Sequence, residues 1–155
     1  MILLPDITIV NQIYESANSF VYRGIINKNQ QPVIVKLLKK DYPTPAELYR
    51  YQQEYEITRR LNLQETIKTY ELRKYDNTQV MLLEGFGGES LKILWSGRPF
   101  SLPDFLHLAI QITDALGKVH QKNVIHKDIN PSNIVLFQPF VQTASGQKLQ
   151  QWTGL

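Results

Sequence analysis

The stretch that most constrains the fold is Val124-Ile125-His126-Lys127-Asp128-Ile129-Asn130-Pro131-Ser132-Asn133-Ile134-Val135-Leu136. Two apolar flanks enclose a polar loop in which Asp128 and Asn133 stand five positions apart. Flanks of that kind anchor a loop to a core, so that its polar side chains can be aimed at a ligand. An Asp/Asn pair at this spacing recurs by chance. With His126 and Pro131 beside it, the pattern is far more selective.

The 155-residue chain is long enough for one domain with a real core, since domains typically run ~100–150 residues. A net charge of +3, with no basic run longer than Lys39-Lys40 or Arg59-Arg60, argues against a nucleic-acid surface and leaves anionic ligands open. Cysteine is absent, which excludes disulfides and thiolate metal sites and is compatible with a reducing compartment. The apolar start Met1-Ile2-Leu3-Leu4 meets Pro5-Asp6 at once, too short a run for a signal peptide or a membrane span. These features predict a soluble cytoplasmic protein without a membrane span.

Taken in order, Ile7–Val10 and Phe20–Ile26 read as a hairpin around the small polar loop Glu15-Ser16-Ala17-Asn18-Ser19. Pro32–Leu38 reads as a third strand, with Val33, Val35 and Leu37 on one face and Ile34, Lys36 and Leu38 on the other. Taken alone, Lys36 also reads as an edge-strand lysine reaching out to water. Thr44-Pro45-Ala46-Glu47 predicts a helix start with a capping box, running to about Leu61. Tyr51, Glu54, Thr58 and Leu61 share one stripe of it. A carboxylate on such a stripe needs a partner if buried, and Lys36 is the obvious one, although a solvated face serves Glu54 as well. Ile67–Tyr75 and Gln79–Leu83 read as two further strands around Asp76-Asn77. Glu84-Gly85-Phe86-Gly87-Gly88 breaks regular structure. A short helix over Ser90–Trp95 and a longer one capped by Ser101 follow. In the longer helix the stripe Phe105, Ala109, Ile112, Leu116 and Val119 is expected in the core. After Phe137 the text turns Gln-, Thr- and Ser-rich, and residues 138–155 are expected to be poorly ordered.

This order resembles the eukaryotic-type Ser/Thr protein kinase domain, as found at the head of large multidomain signalling kinases. The segments that carry it are Pro32–Leu38, Glu54-Tyr55-Glu56-Ile57 and His126–Asn133, and the match covers roughly residues 7–137. The resemblance implies an α+β fold: a five-stranded antiparallel N-lobe with one helix over residues 1–84, then a hinge and a partial helical C-lobe over 85–137. It implies ATP and Mg2+ as cofactors, a protein substrate of unknown identity, and further domains of a larger signalling protein. Carried over by position, Lys36 would touch the ATP phosphates and Glu54 would pair with it. Glu84–Phe86 would be the hinge facing the adenine, with Leu83 as gatekeeper. Asp128 would orient and deprotonate the acceptor hydroxyl, and Asn133 would hold magnesium. The loop Tyr14–Val21 would cover the phosphates, with Tyr14, Ser16, Ser19 and Val21 toward the nucleotide.

Four departures stand out. The usual loop glycines are Tyr14, Ser16 and Ser19, so side chains crowd the phosphate cradle, although serine hydroxyls can donate in their place. Lys127 replaces the arginine that grips a phosphorylated activation loop, and lysine lacks the bidentate fork. Asn130 stands where a lysine near the γ-phosphate is usual. No Asp-Phe-Gly follows Asn133, which leads to the expectation of a reading frame disrupted after Phe137 or of a gene fragment, with little or no transfer activity by the piece alone. A non-catalytic nucleotide-binding or protein-interaction module is the alternative. A small-molecule phosphotransferase using His-x-Asp with a downstream Asn is a third reading.

Overall fold

The computed structural model describes residues 2–96, 100–136 and 152–154. The chain divides into two units, Met1–Arg60 with Lys68–Phe86 and Leu61–Ile67 with Gly87–Leu155.

The first unit is an antiparallel sheet and one helix. Its strands are β1 (Ile7–Glu15), β2 (Ser19–Ile26), β3 (Pro32–Leu38), β4 (Thr69–Tyr75) and β5 (Thr78–Glu84), in the order β1-β2-β3-β5-β4. The two-residue period puts Val33 and Val35 of β3 with Val80 and Leu82 of β5 in a core that Ile2 and Ile7 complete. Lys36 therefore falls on the opposite face, in register with Val21 on one side and Met81 on the other. β1 extends past the expected Val10 to Glu15, because register shifts at Ile9/Asn11 and Gln12/Tyr14 let a polar stretch stay paired after alternation fails. Gly85 closes the end of β5 against β3, where a Cβ would lie 2.7 Å from both Pro32 C and Val33 N.

Helix α1 (Pro45–Leu61) begins with the expected capping box. The Thr44 amide donates to Glu47 Oε2 at 2.9 Å, and the Glu47 amide donates to Thr44 Oγ1 at 3.3 Å. Lys40 Nζ adds an ion pair to Glu47 at 2.6 Å. Together they hold the Glu47 carboxyl down at about 2, with the Lys40 bond the largest cause. Tyr51, Tyr55 and Thr58 are the buried residues of this helix, so Tyr55 joins the expected stripe while Glu54 sits at its margin.

In the second unit, β6 (Glu89–Ser90), β7 (Ile134–Leu136) and β8 (Trp152–Gly154) pair antiparallel in that order. Helix α2 (Leu91–Trp95) is capped by Ser90, and α3 (Leu102–Gln121) by Ser101. Leu91, Leu108, Ala115, Ile134 and Leu136 form the core. Among the described residues, no helix is long and apolar enough to cross a membrane.

Several expectations are corrected here. Of the stripe expected on α3, Val119 is buried and Ile112 and Leu116 pack against the core, but Leu108 and Ala115 are its other buried residues and Phe105 remains 46% exposed. Phe105 and Ala109 line an apolar groove with Trp95, Ile129 and Pro131. Of the two flanks of the polar loop, only Ile134–Leu136 is anchored, because it pairs as β7; Ile125 is 71% exposed. The expected poorly ordered tail falls mostly outside the described residues, but Trp152–Gly154 forms a strand, since the free edge of β7 offers it backbone partners. Leu61–Ile67 groups with the second unit, where Glu65 forms an ion pair with Lys118.

Candidate active site

The residues expected at the site fall in two polar groups, each within its own unit. In the first unit, Lys36 projects from the centre of β3 and Glu54 from the third turn of α1, and they form an ion pair. The lysine side chain is 18% exposed and the glutamate 37%. Partial burial reduces solvent screening of such a pair, and the low exposure of Lys36 shows that it does not reach out to water. The helix is also fixed to this strand by Tyr51, whose hydroxyl donates to the Lys36 carbonyl oxygen at 2.6 Å. Sequence reasoning placed Tyr51 on the right stripe but assigned it no polar task.

The turn between β1 and β2 is closed by its own hydrogen bonds. Ser16 Oγ accepts from the backbone amides of Asn18 at 3.2 Å and Ser19 at 3.0 Å, and lies 3.0 Å from Ser19 Oγ. Ser16 N–H donates to the Ser19 carbonyl at 2.9 Å, and Lys39 N–H to that of Asn18 at 2.8 Å. Ser19 is buried. Two amides of this turn thus point inward at a side chain, the arrangement of an ST-turn. Tyr14 faces Val21 across the hairpin and is 46% exposed. Lys39 pairs with Glu15, whose carboxyl is held below the usual range by that bond, and lies over the Phe20 ring at 5.0 Å.

On the same face of the sheet as Lys36, Leu83 is wholly buried opposite Ile34. The Glu84 amide donates to the Lys68 carbonyl at 2.9 Å, and its carboxylate lies 3.9 Å from Lys68 Nζ. Phe86 is half-buried.

In the second unit, the polar loop folds around Asp128. One carboxylate oxygen, Oδ1, accepts from Asn130 Nδ2 at 2.9 Å, and the other, Oδ2, from Asn133 Nδ2 at 2.9 Å. Asn133 also donates to the Asp128 carbonyl at 3.0 Å. The Asp128 amide donates to His126 Nδ1 at 3.3 Å. Lys127 takes a left-handed φ of 63° to make this turn. Asn130 Oδ1 accepts from Ser132 N–H at 2.9 Å. That Asx-turn fixes the orientation of the amide, so its nitrogen must face the carboxylate. The Asn-Pro-Ser spelling signals such a turn, but what its other end grips is set by the fold of the loop.

Turning the Asn133 nitrogen toward Asp128 leaves its amide oxygen facing away from that carboxylate, so Asn133 has one neutral oxygen to offer a hard cation. Among the described residues there is no group of three His, Asp or Glu able to hold a metal unaided.

A β-sheet with a lysine–glutamate brace to its single helix, followed by an aspartate–asparagine loop, defines the chain as a member of the protein kinase family: the protein kinase domain model matches residues 8–143. Its relatives include the serine/threonine-protein kinase PrkC of Bacillus subtilis, 27% identical over 77% of this chain and 18% of that protein. A probable casein kinase I homolog of Encephalitozoon cuniculi is 32% identical over 85% of this chain and 43% of its own length. The chain thus spans less than half of either relative. The fold is also that of the M. tuberculosis PknI kinase domain, with a TM-score of 0.72 at 19% identity, over 97% of this chain and 58% of the other. The apo form of PpkA-294 gives 0.81 at 16% identity, over 99% and 59%.

Proposed function

We propose that this chain is the nucleotide-binding and catalytic-loop portion of a Ser/Thr-type protein kinase, acting in the cytoplasm on a protein hydroxyl. The observation that carries the reading is the Lys36–Glu54 ion pair, made across β3 and α1. An ammonium held in place by a carboxylate is preorganised for phosphate oxygens, so little reorganisation remains when the anion arrives. ATP with Mg2+ would supply the transferable phosphoryl group and neutralise its charge. Lys36 binds the phosphates, Glu54 keeps the ammonium from swinging, Leu83 to Phe86 receive the adenine, and Asn133 would offer its amide oxygen to the metal. Asp128 accepts the acceptor's hydroxyl proton, its carboxylate aimed by Asn130 and Asn133.

Phosphate incorporation into protein acceptors, compared between the native chain and Asp128→Ala, tests this. Incorporation that Asp128→Ala removes while ATP still binds supports it; incorporation unchanged by that substitution contradicts it. A second reading is a nucleotide-binding module without efficient transfer. It is favoured by the β1–β2 turn, whose Asn18 and Ser19 amides are spent on Ser16 and leave the phosphates fewer donors. ATP binding with no transfer to any protein or small hydroxyl compound is its signature.

A further inference from the structure

We propose that Tyr51 is a positioning residue for the Lys36–Glu54 pair, fixing the roll of α1 over β3 through the backbone of the very residue that carries the ammonium. The proposal rests on the nucleotide-site reading of Lys36 and Glu54. Tyr51 and Glu54 lie three residues apart, so both project from one face of α1. Tyr51 is 5% exposed, and its hydroxyl donates to the Lys36 carbonyl at 2.6 Å. Glu54 meanwhile holds the other end of the same residue, its Nζ. One helical turn thus grips Lys36 at its backbone and at its tip.

The two grips do different work. A lysine stem is flexible, so the ion pair alone survives a shift or roll of the helix, with the ammonium following the carboxylate. A carbonyl in the middle of a paired strand cannot follow. The hydroxyl therefore converts a pair that is merely formed into one formed at a single place over the strand. Packing does not require the oxygen, since phenylalanine fills the same volume, and an unbonded buried hydroxyl would be costly. Burial first, and then the charge of Glu54, push the phenol of Tyr51 upward, so it remains a donor throughout the range in which proteins fold.

The test is a cycle on the full chain: wild type, Tyr51→Phe, Glu54→Gln and the double variant. Mg-ATP affinity is read by titration, and the Lys36 side-chain resonances by NMR without nucleotide, with Lys36→Met supplying their assignment. Tyr51→Phe is expected to weaken ATP binding by about 3- to 10-fold, as loss of one ordinary hydrogen bond would. It adds nothing once Glu54→Gln is present. The Lys36 resonances of Tyr51→Phe move toward those of Glu54→Gln. Equal effects of Tyr51→Phe in both backgrounds, or Lys36 resonances indifferent to it, would overturn the proposal. If wild type binds no ATP, the nucleotide reading fails, and the resonances alone decide whether Tyr51 governs the pair.

Discussion

Asn130 donates from its amide nitrogen to one carboxylate oxygen of Asp128 at 2.9 Å. Its own oxygen is meanwhile held by the Ser132 amide, also at 2.9 Å. The residue that takes the place of a phosphate-facing cation in this family has become a brace for the proposed base. Placed so, it contributes aim rather than charge. Asn130→Ala is expected to lower the transfer rate while leaving ATP affinity unchanged, by up to about 100-fold if the carboxylate swings by an ångström. Asn130→Asp sets two carboxylates against each other and should lower it further. Steady-state kinetics that show a change in ATP affinity instead would point to contact with the nucleotide.

Gly85 lies where two backbones meet, and a methyl group there would strike Pro32 and Val33 at 2.7 Å. Neither is the end of a flexible side chain, so β3 and β5 must separate. Gly85→Ala should destabilise the chain by roughly 1–3 kcal/mol, as overpacking does. Gly117 of α3 is its control, with nothing within 4 Å of an added Cβ. Gly117→Ala should stabilise by roughly 0.5–1 kcal/mol. Chemical denaturation of both variants checks the pair.

The Glu47 carboxyl is held at about 2, against 4.5 for a free glutamate, by Lys40 and by the cap of Thr44. Because the folded value is depressed, its stabilisation is complete above pH 4.5 and is lost as pH falls toward 2. Thermal midpoints of wild type and Glu47→Gln should therefore differ most at neutral pH and converge in acid. A difference that grows as pH falls would contradict the assignment.

Legibility in the sequence followed locality. The bounds of β3 and the capping box of α1 are written within a few residues, in Pro32–Leu38 and Thr44–Glu47, and both match. The Lys36–Glu54 pairing was inferable because an acid on an apolar stripe needs a partner. Properties set by distant neighbours were not inferable. The burial of Leu108 and the exposure of Phe105 on α3 depend on where β7 and α2 lie against it. The exposure of Ile125 depends on what covers it. The hydroxyls of Ser16 and Ser19 looked like spare donors, yet the turn uses them itself, because side-chain bonds to nearby amides compete with any external ligand.

The central claim is that Lys36, braced by Glu54, is built to hold the phosphates of ATP. The most direct test is the thermal unfolding midpoint of the 155-residue chain with and without ATP and magnesium, in wild type and Lys36→Met. At a hundred times its dissociation constant a ligand stabilises by ~2.7 kcal/mol, which moves the midpoint by several degrees. That shift is expected in wild type, dependent on magnesium, and is expected to be lost in Lys36→Met. A wild-type midpoint that ATP does not move, or an equal shift in both proteins, would contradict it.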